Sequence, residues 1–286
     1  MAATRCAWPV RATVGEGPLW SAREGAVYFV DIKGRPAVHR LTLATGAQRS
    51  WDMPESIGWI VERSGRPGFI AGFKSGFAEL ELEPLSIQPI GDPEPGLPGN
   101  RLNDAAADRW GRIWAGSMDD AEIEVTGSLY RLDPDLTWRS VDQGYRVTNG
   151  PTFSPDGTVL YHADSARRVV YRFDLGGDGS LGERGVFVRF PEEWGYPDGM
   201  ATDAEGGVWI AHWAGSRVSR FRPDGTLDRS IALPASQVTK CVFAGDGLER
   251  MFVTSACIGR EDEPLAGALF EVDPGVAGLQ PGVFAG

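Results

Sequence analysis

Four side chains with oxygen donors, Glu16, Asn103, Asn149 and Asp198, stand 11 or 12 residues ahead of four large residues, Tyr28, Trp114, Tyr161 and Trp209. Two carboxylates and two amides brought to one place make an oxygen-rich site for a hard divalent cation. Glu16 and Asp198 would balance the ion's charge, and Asn149 would add a neutral oxygen. Three protein ligands leave positions for water and substrate, the open arrangement a catalytic metal needs. Oxygen donors admit calcium, magnesium or manganese; iron(II) fits too, and zinc through the carboxylates. Asp and Asn also shape turns. The tripeptide PDG occurs at 155–157, 197–199 and 223–225; the first and third read as turns, while the second, with Asp198, heads a strand. From spacing alone, ligand and turn residue both stand for Asp198.

The same offset falls on Lys240, 12 residues ahead of Phe252, and near Gly58, ahead of Ile70. A lysine in that slot either points inward, to offset the acids or hold a substrate oxygen, or runs outward to solvent.

What would bring such distant residues together is a repeat. Tyr28, Ile70, Trp114, Tyr161, Trp209 and Phe252 are the central residues of second strands, at intervals of 42, 44, 47, 48 and 43. Several strands per unit of roughly 40–50 residues mark a β-propeller. Six units predict an all-β, six-bladed propeller over residues 1–286 as a single domain. Its N-terminal segment CAWPVRA is expected to pair with the last blade. The polar slots lie at the innermost strands, so their side chains should converge at one end of the central channel.

Composition agrees: 38 Gly, 20 Pro and 10 Trp suit many tight turns and aromatic-rich strands. A formal net charge of −11 without a Lys/Arg run speaks against a nucleic-acid partner. No apolar stretch reaches membrane-spanning length, and the N-terminus lacks a signal-peptide core. Cys6, Cys241 and Cys257 follow no metal or disulfide spacing, as in a reducing, cytoplasmic setting. There is no HExxH, GxSxG or phosphate-binding GxxxxGK[ST]. His39, His162 and His212 sit in strand-like runs and read as structural, Asp164 and Asp203 as turn-fixing residues at strand ends, and Trp59, Trp194 and Trp213 as core or rim packing.

GEGPLW, RLNDAAADRWGRIWAGSM with GSLYRLDPD, NGPTFSPDGTVLYHADS and PDGMATDAEGGVWIAHW together span most of the chain. With these motifs the sequence resembles the family of senescence marker protein 30, gluconolactonase and regucalcin, six-bladed propellers. TNGP, YPDG and VTK are most similar to its bacterial sugar lactonases of the xylonolactonase type. The resemblance implies that Glu16, Asn149 and Asp198 are metal ligands, and that Arg101 and Asn103 contact substrate. Some members carry a substrate-facing acid where this chain has Ala121. Its neighbours Asp119, Asp120 and Glu122 are candidates to replace it, with Asp120 taken as the contact and Lys240 as a further one. The expected activity is metal-dependent hydrolysis of a sugar lactone, a pentonolactone such as xylonolactone, with Asp198 also steering a proton from water. The partner is then a small-molecule lactone. The alternatives are a noncatalytic metal-binding regulator or scaffold, and an esterase or organophosphate hydrolase on the same frame.

Overall fold

The computed structural model describes residues 4–286. Their strands form six four-stranded antiparallel sheets. The innermost strands are Gly15–Ser21, Ile57–Glu62, Asn100–Ala107, Thr148–Phe153, Tyr196–Thr202 and Val238–Ala244. Consecutive ones lie side by side in a closed ring, so the sheets are the blades of a six-bladed β-propeller. The sixth blade joins both ends of the chain: Arg5–Trp8 lies antiparallel to Leu269–Val272, with Arg5 opposite Glu271 and Cys6 opposite Phe270.

The second strands are near-continuous apolar runs because blades stack on both of their faces. Ala26–Asp31, Phe69–Phe73 and Ile113–Asp119 are buried at every residue, whereas the outermost strand Gln48–Asp52 is largely exposed. The core is accordingly divided among the blade interfaces. Tyr28, Ile70, Trp114, Tyr161, Trp209 and Phe252 all lie in second strands, and each belongs to a different hydrophobic cluster. The sequence repeat is thus the repeat of one interface. Asp108 and Asp203 anchor two of these residues by accepting the indole N–H of Trp114 and Trp209, each at 2.8 Å. Asp203 also accepts the amide N–H of Gly207 at 2.8 Å, fixing its turn.

Every innermost strand shifts register against its neighbour at the polar slot: at Glu16, Gly58, Asn103, Asn149, Asp198 and Lys240. A bulge leaves residues unpaired and bends the strand, which re-aims a side chain. Blade two alone has no side chain in this slot. A Cβ on Gly58 would lie 2.5 Å from the Asn103 carbonyl oxygen and 2.6 Å from that of Leu102.

Beyond the last strand, the C-terminal segment crosses the face of the ring opposite the slots. Gly278 bridges Asp203, the Phe284 amide donates to the Glu62 carbonyl at 2.8 Å, and the Phe284 ring is fully buried. Nothing in the repeat pattern announced this segment.

Because the three atoms nearest a Cβ on Gly58 are all backbone, Gly58→Ala should lower stability by about 1–3 kcal/mol. The urea midpoint should fall without a change in slope; an unchanged midpoint would show that blade three yields freely.

Candidate active site

A cavity of about 480 Å³ opens at one end of the axis, and Glu16, Arg101, Asn103, Asn149 and Asp198 line it. A second cavity of about 290 Å³ opens at the other end, lined among others by Ala105, Pro151, Met200 and, from the C-terminal segment, Leu279 to Gly282. Residues 104, 150 and 199 divide the two, because on the innermost strands of blades three, four and five the lining passes from one cavity to the other around them, while Lys240 lines the second cavity from blade six.

The dividing layer holds a buried ion pair. The Lys240 ammonium donates to Asp104 Oδ1, and both side chains are at most 7 % exposed. Asp104 Oδ2 accepts the Gly150 N–H at 2.7 Å, next to Asn149. The Lys240 stem packs against Gly199, next to Asp198; a Cβ there would lie 2.3 Å from Lys240 Cγ. The pair therefore backs two of the candidate ligands from beneath.

Above it, hydrogen bonds run from blade three to blade five. Arg101 Nη1 donates to Asn103 Oδ1 at 2.5 Å, and Asn103 Nδ2 donates to Asn149 Oδ1 at 3.0 Å. Asn149 Nδ2 donates to Ser165 Oγ at 2.9 Å, and Ser165 Oγ to the Pro197 carbonyl at 2.5 Å. With its nitrogen held by Ser165, Asn149 keeps an oxygen lone pair for another partner. Glu16 Oε2 accepts the Gly17 N–H at 2.5 Å, while Oε1 is buried without a partner.

These carboxylates are crowded. Burial pushes the Glu16 carboxyl up to about 8; the charge of Asp104 adds to the rise, and Lys240, the Gly17 amide and Arg101 oppose it. Burial likewise raises Asp198 well above the usual carboxylate range, with Glu16 and Asp104 adding repulsion. An orphaned buried oxygen, a second crowded carboxylate and an amide oxygen are what a hard cation would satisfy. Glu16, Asn149 and Asp198 therefore fit a divalent ion. Among the described residues, no three of His, Cys, Asp and Glu gather as a metal cluster. The candidate set is two carboxylates and an amide.

Two expected contacts lie elsewhere than on the cavity wall. Lys240 reaches inward, yet its amine is spent on Asp104 and, at 3.3 Å, the Ala105 carbonyl. Asp120 stands behind Arg101 and accepts its Nε at 2.7 Å. Glu122 lines the cavity instead, and Asp119 accepts the Ile123 and Glu124 amides within its own loop. Further lining residues are Lys33, Arg146, Ser165 and Tyr196. Most come from the far ends of blades, where no repeat position marks them. Trp213 is at this mouth, Trp59 is core, and none of the three histidines lines the cavity.

A six-bladed propeller with a polar cup at one end of its axis is the class that fold and side chains define. The chain belongs to the SMP-30/Gluconolactonase/LRE-like family, whose region matches residues 14–257. It is 34 % identical to 6-deoxy-6-sulfogluconolactonase of Pseudomonas putida, over 99 % of this chain and 98 % of that one. It is 33 % identical to L-arabinolactonase of Azospirillum brasilense, over 96 % and 93 %. Among solved structures, a calcium-binding protein, regucalcin, of Agrobacterium tumefaciens superposes with a TM-score of 0.92 at 26 % identity, covering 99 % and 97 %.

Lys240→Met should destabilise the protein by about 3–5 kcal/mol by stranding Asp104, and adding Asp104→Leu should recover much of the loss. Equal midpoints for single and double variants would show that the pair is uncoupled. In protein stripped of metal, Asp198→Asn relieves carboxylate repulsion, so its Tm at pH 8 should exceed that of wild type. Millimolar divalent cation should raise the Tm of wild type, and Asp198→Asn should lose that rise. A variant that keeps the full cation-induced rise would remove Asp198 from the site.

Proposed function

We propose that the protein hydrolyses a sugar lactone to its aldonic acid with the aid of one divalent cation, a five-carbon aldonolactone such as xylonolactone among its substrates. One observation carries this: two buried carboxylates, Glu16 with an orphaned oxygen and Asp198 beside it, face a cavity that also presents Arg101 and Asn103. The volume suits a small polyol ring. The relatives named as sugar lactonases lend support over nearly the whole chain. The scattered thiols fit a cytoplasmic setting, and no described helix is long and apolar enough to cross a membrane.

Lactone hydrolysis needs a polarised carbonyl, an activated water and a fixed ring. Bound by Glu16, Asn149 and Asp198, the cation would be calcium, magnesium, manganese, iron(II) or zinc and would supply the Lewis acid. Asp198 keeps a second carboxylate oxygen, which takes the proton from the attacking water. Arg101 is tied down at Nε by Asp120 and at Nη1 by Asn103, which leaves Nη2 to donate to a ring hydroxyl or the ring oxygen. Both Asn103 amide hydrogens are occupied, by Thr148 and Asn149, so Asn103 orients Arg101 and Asn149 and offers substrate its oxygen. Asp104 and Lys240 neutralise each other below and keep the acids above from a third unpaired charge.

Likeness to a protein described as calcium-binding favours a second reading, a noncatalytic cation binder. Purified protein should be analysed for metal and then assayed for acid release from lactones, aryl esters and organophosphates against the spontaneous rate. On a five-carbon aldonolactone, Asp198→Ala should lower kcat/KM on the order of a thousandfold. Arg101→Ala or Asn103→Ala should lower it about ten- to a hundredfold. Near-normal turnover by Asp198→Ala at saturating metal would refute the site. A wild type that binds cation and hydrolyses no lactone would favour the binder, and a preference for the other esters would favour the esterase.

A further inference from the structure

Of the ten tryptophans, all but two belong to a hydrophobic cluster or pack against one. Trp110 is one of the two, and it lies under the guanidinium groups of Arg109 and Arg112. Trp213 is the other. It is half-buried and lines the upper cavity. Among the described residues no ring or cation stacks on it, and nothing accepts its indole N–H. An indole without a packing partner leaves a large apolar face to water, which is unfavourable unless something covers it.

Trp213 ends the second strand of blade five and pairs with Tyr196, the first residue of the innermost strand. Tyr196 stands two residues ahead of Asp198, so at strand rise the pair is roughly 6–7 Å nearer the mouth than that candidate ligand. This is about the length of one sugar ring. Arg168 covers one face of Tyr196 at 4.3 Å, while the Tyr196 hydroxyl has no partner among the described residues. Trp213 also bridges Gln237, where blade six begins. From blades six and one, Ile258, Val14 and Ile32 continue the apolar wall, and Ile258 is 39 % exposed. Arg101, Asn103 and Ser165 line the cavity from blades three and four, and Lys33 reaches from blade one to Asp120 of blade three at 3.1 Å. One side of the cup is therefore apolar and the other side hydrogen-bonding.

A pentonolactone has about ten non-hydrogen atoms, each smaller than the roughly 30 Å³ share of a liquid water, so it takes up less than about 300 Å³. The cup holds about 480 Å³. A pyranose ring carries C–H bonds on its faces and hydroxyls round its edge. Laid on an indole, it covers the apolar face and keeps its hydroxyls for polar neighbours, here the Tyr196 hydroxyl, Arg101 and Lys33. An alkyl or aryl group would cover the same wall and leave those groups unmet.

We infer that the preferred substrate of this site is an aldonolactone carrying a second sugar ring, with the lactone over Glu16, Asn149 and Asp198 and the glycosyl ring stacked on Trp213. This rests on the lactonase function proposed above. Single-ring lactones are then slower substrates, held at one end only.

The test measures kcat and KM, corrected for spontaneous hydrolysis, for cellobionolactone, lactobionolactone, maltobionolactone and melibionolactone against gluconolactone, the single ring they share. Wild type, Trp213→Ala and Trp213→Phe are compared. At least one two-ring lactone should exceed gluconolactone in kcat/KM by about tenfold, mainly through KM. Trp213→Ala should bring that ratio close to one, and Trp213→Phe should keep part of it, since a smaller ring still stacks. The ratio is taken within each variant, so a general loss of folded protein cancels. γ-Nonalactone against γ-valerolactone probes an alkyl occupant and should show no comparable gain. A missing two-ring advantage, one indifferent to both variants, or an alkyl gain equally dependent on Trp213 would overturn the inference and leave the lactonase function standing. Failure to hydrolyse any lactone would overturn both.

Discussion

The ion pair between Asp104 and Lys240 is the interaction on which the site depends. It spans the axis from blade three to blade six and, through Gly150 and Gly199, touches blades four and five as well. A buried pair of this kind contributes little net stability compared with apolar residues of the same shape, but losing one partner is severe. Its value here is one of placement. Asn149 and Asp198 sit directly above residues it holds, and because Lys240 is spent on Asp104, Glu16 and Asp198 have no ion-pair partner of their own. Two acids that repel each other in a dry place cannot be packed by apolar contact alone; the hydrogen-bond chain from Arg101 to Pro197 and the layer beneath share that task.

The bulges serve the same end. A regular strand at the axis would send successive side chains alternately into the neighbouring blades. Glu16, Asn149 and Asp198 are each followed by glycine, and Gly17 and Gly150 adopt positive φ of 52° and 34°. A side chain at Gly150 would meet the Met200 amide nitrogen at 2.6 Å. The polar-then-glycine pairs in EGP, NGP and DGM are the local mark of a strand that bends to free its side chain.

Much of this was legible in the chain because it repeats. One interface, used six times, shows as a ruler of large residues, and a bulge at a constant offset from that ruler shows as a slot of polar ones. The parts that escaped do not repeat. Whether Lys240 reaches substrate or carboxylate depends on Asp104, 136 positions away. Asp120, Ala121 and Glu122 alternate around a loop in which Glu122 takes a φ of 60°, and that turn decides which acid faces the cavity. Phe284 is buried by contacts to blade two that no periodicity describes. Ser165 and Tyr196 lie outside every slot, and only the meeting of blades four and five brings them to the rim.

A channel partitioned by Asp104, Gly150 and Gly199, with the C-terminal segment along its lower cavity, is a cul-de-sac. Whatever enters the cup leaves by the door through which it came. In the lactonase reaction proposed above, the product would gain a carboxylate at the moment it is made and would have to back out past Arg101, Lys33 and Arg146 before the next molecule could enter. Departure of the acid and arrival of its precursor would then compete for one doorway.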